Sequence, residues 1–516
     1  MSSFRSASFV LLLATLLTSC SSSEESVFER LRADYAGDTL RQAAVSFLEK
    51  YADSHAGISY QLIDSNGGNA EHVNPLDFST DTAYLEFLQF HQYHFEKRPL
   101  REDREKLTEA FLRENIDLAF DAWRAPWSRA VPFADFCRYI LPYRNADEAL
   151  SDWRKEFKEK YFASITDSVA NPKSKIEVAL YLMRRLKEEV AYGQKLRSFY
   201  PYFLTPEQCR QMHFLECRQL AHYGTLALRA CGVPCAMIET HWRFTDIAHT
   251  SILIPQLEGD TAAFRLSVYD ELQVMGTPKD SMASWRTWRY SYETNPELAA
   301  MKHSLPGFSS FYSPVTRIDE TPIFSTTHSF SMPVPDSLQA QSYLFLCRME
   351  SGKWFGIREG LVSGDSVTFR NATIRQWYRM GYFNGDDVTT FGSTFTLTGD
   401  GRVQYYDCSG DTVFFKLVYS CPEEETRTHL SITTQYWGSD NCWHSLNGDA
   451  VLWGYNETSG EYKEFDESMR GRFKPVFHLL KVWLPRWTVF YDETMPRPLG
   501  FICQDAETGE GYLMQF

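Results

Sequence analysis

Apolar residues recur at three- and four-residue steps through much of the first 240 residues of this chain and alternate in short runs after that. One part must therefore bury helix faces and the other sheet faces. Leu40, Ala44, Phe47, Leu48 and Tyr51 mark one helix, and Ile116, Ala119, Phe120 and Trp123 mark another. Ser174 is placed to cap a third, expected from about Lys175 to Tyr192, with Ile176, Ala179, Leu180, Met183 and Leu186 on one face. Later, Leu344, Leu346, Phe355, Val367, Phe369, Phe395, Leu397, Val413, Phe415 and Leu417 fall in strand-like runs between Ser-Gly, Gly-Asp and Asn-Gly signals. That pattern predicts a sandwich or barrel. At 516 residues the chain is too long for one core, so three or four domains are expected.

The first residues carry one cation, Arg5, then an apolar run from Phe9 to Leu17, then Leu17-Thr18-Ser19-Cys20. The run is too short for a permanent membrane helix and has the length of a signal core. Cleavage before Cys20 is expected, which removes residues 1–19 and leaves Cys20 to carry lipid. Residues 20–27 would form a tether, whose Ser21-Ser22-Ser23-Glu24-Glu25 resembles the export tag that sends Bacteroides-group lipoproteins to the outer surface. The expected location is the bacterial outer membrane, lipid-anchored and surface-exposed. The 52 Lys and Arg, less Arg5, stand against 67 Asp and Glu, a mature net charge of about −16. Such a chain lacks the basic footprint of a nucleic-acid binder. Of the 11 cysteines, Cys20 is assigned to lipid and Cys217 to chemistry. The odd remainder, without framework spacing, reads mostly as buried thiols, Cys137, Cys347 and Cys503 among them.

The segment that bears chemistry is Leu215-Glu216-Cys217-Arg218-Gln219-Leu220-Ala221. It continues through Leu228-Arg229-Ala230 to Gly232-Val233-Pro234. Ala221, Gly224, Thr225 and Leu228 form a helical stripe, and Gly232 with Pro234 ends it, so Cys217 is expected at a helix N-terminus. Unsatisfied amides and the helix dipole there favour a thiolate. Ala248-His249-Thr250-Ser251-Ile252-Leu253-Ile254 reads as a strand beginning near His249. A Gly259-Asp260 turn would return the chain along Phe264–Asp270. Pairing outward from that turn matches positions whose numbers sum to about 519, which sets Asp270 opposite His249. The Asp270 carboxylate would fix the imidazole so that its other nitrogen takes a thiol proton. A one-residue bulge would turn the two side chains to opposite faces.

Helix-initial Cys, strand-initial His and an Asp on the returning strand follow the order of the transglutaminase-like, papain-type cysteine domains. Glu216-Cys217 with Leu228-Arg229-Ala230-Cys231-Gly232-Val233-Pro234 resembles that family's cysteine helix and the run that ends it. Asp135-Phe136-Cys137-Arg138-Tyr139-Ile140-Leu141-Pro142-Tyr143-Arg144, Trp153-Arg154 and Trp288-Arg289 resemble the transglutaminase-domain lipoproteins of Bacteroides-type bacteria. In this family a Gly commonly precedes the histidine and a Trp follows two residues on, whereas here Ala248 precedes and Ser251 stands two residues on.

The resemblance implies a multidomain α+β chain. A helical N-terminal domain (28–165) would precede a transglutaminase-like α+β core (166–300) and two C-terminal antiparallel β-sandwich-like modules (301–424 and 425–516). It implies a Cys217-His249-Asp270 triad acting without cofactor or metal on a protein, peptide or peptidoglycan-type amide. With water as acceptor this is a cysteine protease or amidase, and with an amine an acyltransferase. The rival expectation is a catalytically silent core whose β modules bind glycan or protein.

Other groupings compete with this one. Cys209, His213 and Cys217, four residues apart, could share a helix face as metal ligands, but Leu215-Glu216 reads as a loop and a fourth ligand is lacking. His222 and His241 read as structural histidines, and Trp123, Trp127 and Trp153 as core packing in preference to a sugar platform.

Overall fold

The computed structural model describes residues 26–406 apart from 69–77, 79, 194–201, 243–247, 270–272, 276–283, 308–313, 351–352, 375, 377 and 386. Beyond 406 it describes strand backbone alone, between 414 and 514. Cys20 lies outside the described residues. Among the described residues no helix is long and apolar enough to cross a membrane.

The chain is mixed α+β. Helices α1 (Val27–Asp34), α2 (Thr39–Tyr51), α3 (Asp81–Phe90), α4 (Asp103–Lys106), α5 (Glu109–Trp123) and α6 (Phe133–Tyr139) build the N-terminal region. The periodic residues fall where expected, in α2 and α5. The region is not purely helical, however, because β1 (Ala56–Ile63) and β2 (His94–Glu102) pair as an antiparallel ribbon that the helical reading did not contain. His55, just before β1, is buried with its ring stacked 4.3 Å from Tyr292 and its Nε2 2.8 Å from the Tyr292 carbonyl. Burial pushes its imidazole down to about 4. An unfolded histidine protonates near 6.5, so acidification from about pH 6.5 toward 4 favours the unfolded chain by up to about 3 kcal/mol. His55→Gln should flatten the melting temperature over that window, and an unchanged slope would assign the loss to other groups.

Next come α7 (Trp153–Ser168), α8 (Lys175–Leu186), α9 (Pro206–Met212) and α10 (Cys217–Ala230), with the short parallel pair β3 (Ala191–Tyr192) and β4 (Phe214–Leu215). Ser174 caps α8, its hydroxyl accepting from the Glu177 amide. The helix stops at Leu186, short of Tyr192, because Ala191 donates its amide to the His213 carbonyl and the chain is drawn into β3. Helix α10 is buried on every side from Gln219 to Ala230. It lies on a six-stranded sheet of order β10-β9-β5-β6-β7-β8, made of β5 (Ala236–Trp242), β6 (Ala248–Ile254), β7 (Phe264–Leu266), β8 (Gln273–Val274), β9 (Ser284–Tyr290) and β10 (Arg317–Asp319). At Gly224 an added Cβ would stand 2.7 Å from Ile252 Cδ1, so the glycine lets α10 lie against β6 without displacing that side chain. The core beneath α10 also takes Trp127, Phe157 and Tyr161, which lie before residue 166, and the sheet runs on past residue 300 to β10.

The three tryptophans pack inside, as expected. Trp127 Nε1 donates to the Cys231 carbonyl at 2.7 Å, Trp153 Nε1 to the Tyr143 carbonyl at 2.8 Å and Trp123 Nε1 to the Val131 carbonyl at 2.9 Å.

After helices α11 (Pro296–Ser304) and α12 (Thr321–Phe324), seven strands between Thr327 and Tyr406 form one antiparallel sheet. The sheet curls: His328 Nε2 reaches the Gly399 carbonyl at 3.2 Å, and Leu344, Leu346, Val367, Phe369, Tyr378, Phe395 and Leu397 fill the inside. Eight further strands between Phe414 and Met514 form a second antiparallel sheet. Cys137 and Cys347 are buried as expected; Cys503 is on a described strand, with its side chain outside the description.

Candidate functional site around Cys217

Cys217 is the first residue of α10, as the Gly-Val-Pro stop and the helical stripe predict. Its surroundings are fixed from behind by buried hydrogen bonds. Gln219 Nε2 donates to the Tyr202 carbonyl at 2.7 Å, and its Oε1 accepts from the Leu204 amide at 3.1 Å. His222 is fully buried, Nδ1 3.1 Å from Asn145 Nδ2 and Nε2 3.0 Å from the Leu204 carbonyl. The amide of Asn145 can only donate to Nδ1, so Nε2 carries the proton; burial lowers this group's affinity for a second one. It is a structural histidine, as expected.

The thiol itself is part-exposed, and it donates to Glu216 Oε2 at 3.6 Å. Glu216 caps α10, accepting from the Arg218 amide at 3.0 Å, while Arg218 Nε holds its other oxygen at 3.2 Å. A carboxylate therefore sits where a thiolate would develop, and two like charges at that range repel by about 1 kcal/mol or more. Glu216→Gln keeps a cap acceptor and removes the charge. It should speed alkylation of Cys217 at neutral pH severalfold, read by mass spectrometry; an unchanged rate would mean that the carboxylate does not restrain the thiol.

His249 stands second on β6, opposite Thr240 of β5, at the strand end level with the N-terminus of α10. Strand alternation decides where it points. Ile252 meets α10 at Gly224 and joins its core with Ile254, whereas Leu253 packs with Ile238, Ala263 and Phe324 in a separate cluster. The β5–β6 ladder is regular over Ala248–Leu253, so His249 and Ser251 share the face of Leu253, away from α10.

The returning strand also differs from expectation. Ile252 pairs with Leu266, Leu253 with Arg265 and Ile254 with Phe264, sums of 518 in place of 519. The connection is a turn closed by the Asp260 amide on the Leu257 carbonyl, with Leu257 donating in return to the Asp260 carboxylate, and this moves the register by one residue. The described ladder ends at Ile252–Leu266, and Asp270 lies outside the described residues.

The same end of the sheet holds a cluster on β5, β9 and β10 that the sequence pattern did not mark. Glu239 accepts from His241 Nε2 at 2.9 Å, Arg317 Nη1 at 3.1 Å and the Tyr290 hydroxyl at 2.8 Å. Burial works against its charge, yet the Arg317 guanidinium and the His241 imidazole hold this carboxyl well below the usual carboxylate range. The Trp285 ring lies 4.8 Å from the His241 ring. The signal in the sequence was a Glu two residues before a His on a strand, a spacing that puts both on one face.

The metal grouping does not form. Helix α9 ends at Met212, and His213 turns out at φ +58 with Nδ1 2.9 Å from the Glu189 carbonyl, while Cys209 is buried. Among the described residues no group of histidine, cysteine and carboxylate side chains is placed to hold a metal ion. Compared with known proteins, the chain matches no family model and no curated protein sequence.

Proposed function

We propose that this is a lipid-anchored surface protein whose central α+β domain is transglutaminase-like and performs amide-directed acyl chemistry through Cys217. The observation that carries the reading is the placement of a part-exposed cysteine as the first residue of a buried helix laid on an antiparallel sheet. Cys217 attacks a carboxamide or peptide carbonyl, and backbone amides near Cys217, other than that of Arg218 which caps onto Glu216, receive the oxyanion. A histidine at the same end of the sheet carries the proton. The family resemblance gives that role to His249, with Asp270 to orient it. Water as acceptor makes the protein a protease or amidase, an amine makes it a cross-linker, and attachment to a membrane surface favours hydrolysis.

Two observations favour the second reading, a catalytically silent core with β modules that bind glycan or protein: the thiol donates to Glu216, and strand alternation turns His249 from α10. An activated acyl donor such as p-nitrophenyl acetate separates the readings. Acyl chemistry leaves an acetyl group on Cys217 that hydroxylamine removes, and a folded protein that never acquires it has the silent core.

Anchoring is tested separately. Cys20→Ser should release the protein from membranes into the soluble fraction. Continued partition of the Cys20→Ser protein into detergent would overturn the lipid anchor.

A further inference from the structure

We propose that the ring of Phe214 is the floor of a substrate subsite beside Cys217, one that takes an aromatic or large aliphatic side chain of the amide under attack. The inference rests on the reading of Cys217 as a nucleophile and adds to it a class of substrate.

The chain itself sets the distance. Phe214 and Cys217 are three residues apart, so their Cα atoms are separated by no more than about 11 Å. Alternation sets the side. Phe214 and Leu215 form β4, and Glu216 continues in extended backbone at φ −77 and ψ 170. Leu215 turns into the core around α10, so Phe214 and Glu216 share the other side. The Glu216 carboxylate accepts from the Cys217 thiol at 3.6 Å, which puts ring and thiol on one side of the chain.

The ring is held in place from below and behind. Phe214 lies across bare backbone, since a Cβ on Gly193 would stand 3.0 Å from Phe214 Cδ1 and 3.2 Å from Phe214 Cβ. His213 meets the ring edge-on at 4.9 Å and holds φ +58, a conformation that side-chain-bearing residues rarely adopt and that persists where neighbours fix it. Here Nδ1 of His213 bonds the Glu189 carbonyl at 2.9 Å, and its carbonyl accepts from the Ala191 amide at 2.7 Å. The ring nevertheless remains 39 % exposed.

Single exposed apolar side chains are ordinary, but contiguous ones mark binding surfaces. Among the described residues eight large apolar side chains are exposed, and three of them, Tyr192, Phe214 and Tyr269, gather on the β3–β4 pair. The Tyr269 hydroxyl donates to the Val190 carbonyl and so ties its ring to β3. Of the three, Phe214 is the one that shares a side with Glu216 and the thiol. An extended substrate advances about 3.3 Å per residue, so the ring meets a side chain one or two residues from the attacked carbonyl. Covering it removes on the order of 50 Å² of apolar surface from water, a factor of about ten in binding.

The test compares two alkylating reagents on the folded Cys20→Ser protein near neutral pH, iodoacetamide and N-(2-phenylethyl)iodoacetamide. The rate at Cys217 is read by mass spectrometry, and each rate is divided by that of the same reagent with glutathione. The phenylethyl reagent should be favoured about tenfold, and Phe214→Ser should bring the ratio close to one. Leu361→Ser, which removes an exposed apolar side chain from the seven-stranded sheet, should leave the ratio as it is in the parent. Should Phe214→Ser fail to fold, protection of the parent decides: N-acetylphenylalaninamide should slow carbamidomethylation of Cys217 where N-acetylglycinamide does not, and equal protection by both overturns the subsite. A reactive Cys217 with no preference between the reagents, or a preference that survives in Phe214→Ser, overturns the assignment of Phe214 and leaves the thiol chemistry standing. A Cys217 inert to both reagents overturns the reading of the nucleophile, and the subsite with it.

Discussion

Asp103→Ala is expected to destabilise the N-terminal half by about 3–5 kcal/mol, because it leaves a buried guanidinium without its anion. Asp103 has no solvent exposure and Arg144 is 3 % exposed. Arg144 donates to it twice at 2.6 Å, through Nε to Oδ2 and through Nη2 to Oδ1, and the Tyr143 hydroxyl adds a third bond at 3.1 Å. The effect reaches the site, since the Arg144 carbonyl accepts from Arg229 Nη1 in the last turn of α10 at 3.2 Å. Thermal melting should show a first transition lowered by on the order of 10 °C. Replacing Arg144 by Met in the same background should recover much of that loss, because the stranded charge is then gone. A melting temperature within a degree or two of the parent would mean that the pair does not hold the domain.

That pair also explains why the segment from Asp135 to Arg154 was conspicuous in the sequence. Tyr143, Arg144, Trp153 and Arg154 are buried hubs. Arg154 alone donates to the carbonyls of Ile140, Leu141, Pro142 and Arg229, tying the loop after α6 to the end of α10. Sequence pattern could mark such residues but not their partners, which for Arg154 lie from 12 to 75 positions away.

Periodicity located α2, α5, α8, α10, β6 and the C-terminal strands, because each buries one face with a regular step. It missed β1 and β2, which pair across 30 or more residues through a segment of mixed polarity, and it ran α8 on to Tyr192 because nothing local announces that Ala191 pairs with Phe214. The site shows the same division. Cys217 at a helix start was legible from a glycine, a proline and a stripe. The pairing of the returning strand was not, since the turn at Leu257–Asp260 shifts the β6–β7 register by one residue, and a one-residue shift changes which residues of β7 share a face with those of β6. The Glu239–His241 pair was visible as a spacing, but Tyr290 and Arg317, which complete it, come from strands more than 50 residues on.

Selective reactivity of Cys217 is the other large expected effect. Burial pushes the thiols of Cys137, Cys231 and Cys235 up to about 12, and those of Cys209 and Cys347 higher still. At pH 6 about one in a million of a thiol at 12 is ionised, since each unit of separation is a factor of ten, and the apolar packing also excludes the reagent. Cys217 is part-exposed and begins a helix, at the positive end of its dipole. The measurement that bears most directly on the account is a short exposure of the folded Cys20→Ser protein to iodoacetamide at about pH 6, followed by mass-spectrometric mapping of every cysteine. The account predicts that Cys217 is carbamidomethylated while Cys137, Cys209, Cys231, Cys235 and Cys347 stay unmodified. Labelling spread evenly over these cysteines, or a Cys217 as inert as the buried five, would contradict a cysteine nucleophile at this site.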